Sequence, residues 1–225
     1  MPERLLLADR DAAADALTFA GRAARLGDGA VRLRSSAGTL TMWAAVLAPR
    51  GLFDSTPTIL GMRAVRADPE LECDLVVDAT ALTADADDDT ALALPETALA
   101  PSWAGISPPQ TGWVPGEEIA ASELASRAQW GMAAVANKLP ADAGDDVVRV
   151  VRSDVWGAPA EELADLPLGV AFAAFGLGFI GGEETVRLFT APSWTRLSLR
   201  RGHVLVRRPP REGLTAVRPT GRADG

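Results

Sequence analysis

The stretch "AVRLRSS" (30–36) alternates apolar and polar residues, which predicts a strand with one buried face. "TLTMWAAVLA" (39–48) is a longer apolar run joined to it through Ala37-Gly38, and it reads as the next strand. "TILGMRAVRA" (58–67) and "CDLVVDATALT" (73–83) read as two more strands, completing a four-stranded antiparallel meander. Ahead of them, "DRDAAADALTFAGRAARL" (9–26) carries a helix pattern. Asp9 or Asp11 starts it, alanines fill its body, Arg22 and Arg25 sit in its last turns, and Gly27 stops it. A helix packed on four strands makes a small α+β domain over residues 1–83.

Residues 84–116 change character. "ADADDDT" is an acidic run, and "LPETALAPSWAGISPPQTGWVPGEE" is rich in proline and holds Trp103 and Trp113, so the segment reads as a partly ordered linker. Three helical patterns follow, at 116–140, 145–157 and 166–179, and then strands at 184–190, 194–200 and 203–208. Three helices and a β-hairpin, in that order, predict a winged-helix-like domain over 117–208, with a disordered tail at 209–225. No internal repeat is visible.

Charge is distributed unevenly along the chain. The 225 residues carry a formal net charge of −8, yet Arg196–Gly225 holds eight arginines against two acids. Such asymmetry points to an anionic partner, foreign or intramolecular. The longest apolar stretch, 168–182, has 15 residues, shorter than the roughly 20 of a bilayer span. "MPERLLLADRD" lacks the features of a signal peptide, so the expected location is cytoplasmic, with no membrane partner. A single cysteine, Cys73, excludes intrachain disulfides and reads as a small buried side chain.

The most pointed chemistry lies in "SLRRGHVLVRR" (198–208), with the chain's only histidine. A two-residue turn at Arg201-Gly202 would place Arg200 opposite His203 and Arg196 opposite Arg207. One face of that hairpin is then apolar (Leu197, Leu199, Val204, Val206), and the other gathers Arg196, Arg200, His203 and Arg207. Like charges opposed across a sheet are destabilising. Phosphates would compensate them, and so would Glu183, Glu184 or the acids at 117–118. Against duplex DNA stands the third helix, "LGVAFAAFGLGF", which offers no polar side chain to a base edge.

Other candidate chemistry is thin. "DADDDTALALPE" (85–96) has acids at positions suited to a calcium loop, but Thr90 stands where the sharp turn needs glycine. One histidine and no "GxSxG" leave no nucleophile motif, and "GLGFIGG" lacks the lysine and strand–helix context of a phosphate loop. No metal or cofactor is implied. Trp103 and Trp113 flank Pro108-Pro109, which favours an extended conformation. The two rings either pin the linker across the domains or form an exposed aromatic patch for a partner.

Long segments of the chain, "LLLADRDAAADALTFAGRAARLGDGAVRLR", "PETALAPSWAGISPPQTGW", "ASRAQWGMAAVANKLP" and "WTRLSLRRGHVLVRR", resemble a group of uncharacterised actinobacterial hypothetical proteins. The resemblance implies a bacterial cytoplasmic protein of two domains of unknown function, and it carries no functional residues across. The leading functional expectation is a non-enzymatic protein-interaction protein, self-association included, using Trp103, Pro108, Pro109 and Trp113. The alternative is a nucleic-acid-binding regulator using Arg196, Arg200, His203 and Arg207. A third is a carboxylate-based enzyme in the interdomain cleft.

Overall fold

Asp9 opens the first helix: its carboxylate accepts the Ala12 N–H at 2.8 Å, satisfying one of the free donors at a helix start. In the computed structural model, which describes residues 4–51 and 53–207, the chain begins with β1 (Arg4–Leu6) and α1 (Arg10–Ala23). Strands β2 (Ala30–Ser36), β3 (Thr39–Leu47), β4 (Thr58–Arg66), β5 (Cys73–Asp78), β6 (Thr83–Ala84) and β7 (Ala91–Ala93) follow. The second half comprises β8 (Val114–Ala120), α2 (Ala121–Lys138), α3 (Asp145–Gly157), β9 (Pro159–Ala160), β10 (Leu166–Pro167) and α4 (Gly169–Gly176). It ends with β11 (Thr185–Ala191), β12 (Trp194–Leu199) and β13 (Gly202–Arg207). The tail expected at 209–225 lies outside the described residues.

The C-terminal hairpin is not the wing of a winged helix. β13 pairs antiparallel with β4 from Arg207↔Thr58 to His203↔Met62, so both halves share one eight-stranded sheet, β5-β2-β3-β4-β13-β12-β11-β8. The reason is burial on both faces of β13. Val204 and Val206 enter the larger core, and Leu205 enters a second core on the other side. A wing strand, solvated on one face and free at its edge, would leave that apolar surface in water. β4 therefore gives its free edge to β13, and β5 pairs with β2, so the N-terminal strands are not the simple meander expected. The order of strands is the same on either side of the β4–β13 seam: three consecutive antiparallel strands, then one edge strand.

Two expected helices are shorter than their patterns. The helix expected from residue 116 begins at Ala121, because Val114–Ala120, with Pro115 and Gly116 inside it, pairs with β11 as a strand. Glu118, within the helix expected at 116–140, instead meets Arg187 across that pair at 3.2 Å. The helix expected over 166–179 is reduced to Gly169–Gly176, apolar all round because α2 covers one side and the β4–β13 seam the other.

Alternation assigns the two faces of the sheet. Val31, Leu33, Leu40, Met42, Ile59, Leu197, Val204 and Val206 face the helices and build the larger core. Trp156, at the end of α3, fills the junction of α2 and α4, its ring 4.4 Å from that of Phe172. Gly131 of α2 makes room for it: a Cβ there would lie 2.1 Å from Trp156 Cζ3. Gly131→Ala raises intrinsic helix propensity by about 1 kcal/mol. It nevertheless destabilises the chain, by roughly 1–3 kcal/mol, because a rigid indole in a packed core has to move. Chemical denaturation reads the sign, and a stabilised variant would contradict the packing. Among the described residues no helix is long and apolar enough to cross a membrane.

Candidate functional site on the outer sheet face

The face of the sheet turned away from the helices carries two ordered rows of side chains. One runs Val76, Arg32, Trp43, Met62, His203, Ser198, Arg187 across seven strands in register. The next runs Leu60, Leu205, Arg196, Phe189, from β4 to β11. Residues contributed by both halves therefore stand side by side.

Residues 99–113 cross this face as a strap. Leu99 N–H donates to the Val76 carbonyl at 2.8 Å, anchoring the strap at the β5 edge. A short 3-10 turn, Ser102–Gly105, then drops Trp103 against the sheet. The ring is 3% exposed, and its Nε1–H donates to Asp28 at 2.8 Å. Arg32 fastens the next residues. Its Nε and Nη2 donate to both oxygens of Asp74, each at 2.8 Å, while Nη1 donates to the Ala104 carbonyl at 2.7 Å. Such a bidentate pair is a strong charge-assisted arrangement. It raises the Arg32 pKa and holds the Asp74 carboxyl below its usual range. Trp113 closes the strap, half-buried, its Nε1–H donating to the Pro109 carbonyl at 3.0 Å. Pro108 and Pro109, also half-buried, border the groove between strap and sheet.

The hairpin register differs from the expected one. Leu199 pairs with Gly202, so the turn is Arg200-Arg201. Gly202 is drawn into the strand because Phe179 lies against it: a Cβ there would be 2.5 Å from the ring. His203 consequently faces Ser198, and Arg196 faces Leu205. The opposed arginines anticipated from the sequence do not occur. Because the shift preserves which residues share a face, Arg196, His203 and Arg207 still lie on the outer side. Arg207 sits between Trp194 and Thr58, and Arg200 is exposed at the turn, its backbone N–H donating to Glu184 at 2.9 Å.

Arg196 is the centre of the arrangement. Its guanidinium carbon lies 4.7 Å from the Trp113 ring centroid and 4.6 Å from that of Phe189, so the cation is held between two aromatic faces. Its Nε is buried without a hydrogen-bond partner, and burial lowers its pKa. Sequence reasoning named Arg196 and Trp113 separately. Phe189, the third member, carried no signal beyond its place in an expected strand.

His203 Nδ1 is 3.0 Å from Ser198 Oγ. Burial, and then the charge of Arg196, push its pKa down to about 4. The unfolded chain takes up this proton near pH 6.5 and the folded chain only near 4, so stability is lost as pH falls from 6.5 towards 4. His203→Gln should remove that part of the acid sensitivity, on the order of 3 kcal/mol at full protonation. NMR titration of the imidazole checks it directly, and a midpoint at 6 or above would refute the assignment.

A separate cleft of about 980 Å³ lies between residues 45–57 and α3. It contains Asp28, Asp54, Asp145 and Asp154. Asp54 is held below its usual pKa by the Thr56 hydroxyl and two backbone N–H groups, the opposite of the raised value a general acid needs.

Residues 1–105 match the family model described as Domain of unknown function (DUF8010), and residues 108–211 the one described as Domain of unknown function (DUF8185). The division falls inside the strap. No curated protein matches the sequence. Solved structures similar to the chain include a DnaN sliding clamp (DNA polymerase III subunit beta) from Bartonella birtlesii bound to griselimycin. The identity is 12% and the TM-score 0.50, over 91% of this chain and 64% of that one. A putative DNA polymerase III beta subunit from Eubacterium rectale matches at 10% identity and TM-score 0.48, over 94% and 66%. The DNA polymerase sliding clamp from Caulobacter crescentus matches at 14% identity and TM-score 0.46, over 100% and 70%. The chain thus spans about two thirds of the length of these subunits, and the first of them shares its fold.

Proposed function

We propose that this chain is a non-enzymatic protein-interaction protein, and that the outer sheet face between strap and hairpin is where it meets its partner. The observation that carries the reading is the groove of about 540 Å³ walled by Trp43, Met62, Trp113, Arg196 and Leu205. Aromatic, methionine and arginine side chains are the residue types enriched in interface cores. The fold shared with a clamp subunit fits a role of this kind without assigning one.

The reading as a nucleic-acid-binding regulator has less support. Two of the outer-face arginines are already bound, Arg32 by Asp74 and Arg187 by Glu118, and His203 is neutral above about pH 4, which leaves Arg34, Arg196 and Arg207 as the cations this face could offer. A nucleic-acid backbone approaching this face would meet those carboxylates as well.

The test places a photo-crosslinking amino acid at Met62 or, as a control, at Ser126 on α2, in cells making the full chain. Discrete protein adducts from position 62 alone support the reading. Adducts with the chain itself identify self-association. Adducts with nucleic acid, or none from position 62, overturn it.

A further inference from the structure

The Arg196 guanidinium is a cation whose own fold gives it rings and no counter-ion. The Trp113 ring lies 4.7 Å and the Phe189 ring 4.6 Å from its central carbon, and neither ring offers the N–H donors an oxygen acceptor. Among the described residues none of those donors meets a carboxylate or a carbonyl, and Nε is buried without a partner. The contrast with its neighbours is sharp. Arg32 and Arg187, on the same face, each have an acid within 3.2 Å. An arginine that is partly desolvated and left unpaired is costly unless something supplies the missing acceptor. A planar fork with fixed donors is matched best by a carboxylate or a phosphate.

Resting on the reading of the outer face as a docking surface, we infer that Arg196 is the anchor for an acidic side chain, Asp or Glu, carried between apolar residues by an extended segment of a partner protein. Three features select this occupant. The surface directly beside the cation is apolar: Leu205 and then Leu60 continue its row across the strands, with Trp43 and Met62 next to them, which suits aliphatic side chains. The polar lining of the groove (Arg34, Ser36, Thr39, Thr41) stands instead on β2 and β3. Of the other arginines of the face, Arg32 and Arg187 already hold an acid, so the guanidinium flanked by rings in place of a carboxylate is the one at Arg196. The depression also continues past Arg196. The residue borders the groove of about 540 Å³ on the Trp113 side and another of about 560 Å³ on the Phe189 side, lined by Glu184, Thr185, Arg187, Ser198, Leu199 and Arg200. A segment can therefore run across Arg196, which favours an internal side chain over a chain terminus.

The experiment uses the full chain and two blocked peptides, acetyl-Leu-Glu-Leu-amide and acetyl-Leu-Gln-Leu-amide, followed by NMR at the Trp113 and Trp43 indole N–H groups. The Glu peptide should bind at least tenfold tighter than its Gln isostere and shift Trp113 at saturation. Arg196→Met keeps an unbranched stem between the rings, and it should bring the Glu peptide down to the level of the Gln peptide. The Trp103 indole resonance, fixed by Asp28, reports that the variant remains folded. Equal binding of the two peptides, unchanged binding by the folded Arg196→Met variant, or inorganic phosphate occupying the site more tightly than the Glu peptide would each overturn the assignment. Failure of the two readings is distinguishable. Crosslinking at position 62 to a protein, without a Glu preference, removes the Arg196 anchor and leaves the interaction surface standing.

Discussion

Trp156→Ala should lower the stability of the full chain by about 3–5 kcal/mol, the range for removing a large buried ring. Trp156 is 2% exposed and fills the space where α2, α3 and α4 meet. A Cβ at Gly131 would collide with the indole itself, and one at Gly169 would meet Ile59 Cδ1 and the Trp156 carbonyl and Cβ, so both helices approach this residue through glycine. The cavity left behind cannot collapse easily, since both neighbouring surfaces are helix backbone and Phe172 loses its stacking partner. At 225 residues this corresponds to a drop in Tm of roughly 6–20 °C. Trp156→Phe should cost far less, because it removes an indole N–H that is buried without a partner. Urea denaturation of the two variants separates the contributions. If Trp156→Ala costs under about 1 kcal/mol, the indole does not organise the helix layer.

Trp103→Ala should have an effect of similar size, about 3–5 kcal/mol, through a different route. Trp103 is the only fully buried side chain of the strap, and it closes the smaller core with Ala30, Ala45, Leu60 and Val76. Its loss exposes that core and leaves Asp28 without the indole donor, although the carboxylate keeps its bond to the Ala30 N–H. The strap is then held by Arg32, the Leu99 backbone bond and the packing of Trp113 on Arg196. Limited proteolysis should show new cleavage within 99–113 while β4 and β13 remain protected, because only the outer layer has opened. Trp103→Phe, which keeps most of the ring area and loses the hydrogen bond, should cost about 1 kcal/mol. Simultaneous cleavage throughout both halves would mean that the strap is integral to the sheet and has no separate stability.

Much of the candidate site was written in short stretches of sequence. The hairpin face that gathers Arg196, His203 and Arg207 follows from strand alternation and survives a shift in register. The tryptophans at 103 and 113 were visible as improbable residues for a disordered linker. What brought those two groups into contact was not legible, because Trp113 and Arg196 are separated by most of the second half of the chain. The cost of opposed arginines was argued from a turn at Arg201-Gly202. Phe179, a residue outside the hairpin, moved that turn to Arg200-Arg201.

The amino-acid sequence by itself determined the local elements, through short-range causes: Asp9 capping α1, the apolar alternation of β2, and the helical spacing of valines in α3. It also determined which side of each strand would be apolar. The tertiary structure decided how the elements were partnered. β13 could have ended a small hairpin, but Leu205 on one face and Val204 and Val206 on the other needed cover on both sides. Only the free edge of β4, about 140 residues earlier, allowed that cover together with a full ladder of backbone hydrogen bonds. Burial and edge pairing are properties of the whole sheet. That is why strands read as a meander and a separate hairpin became one continuous sheet with a strap across its outer face.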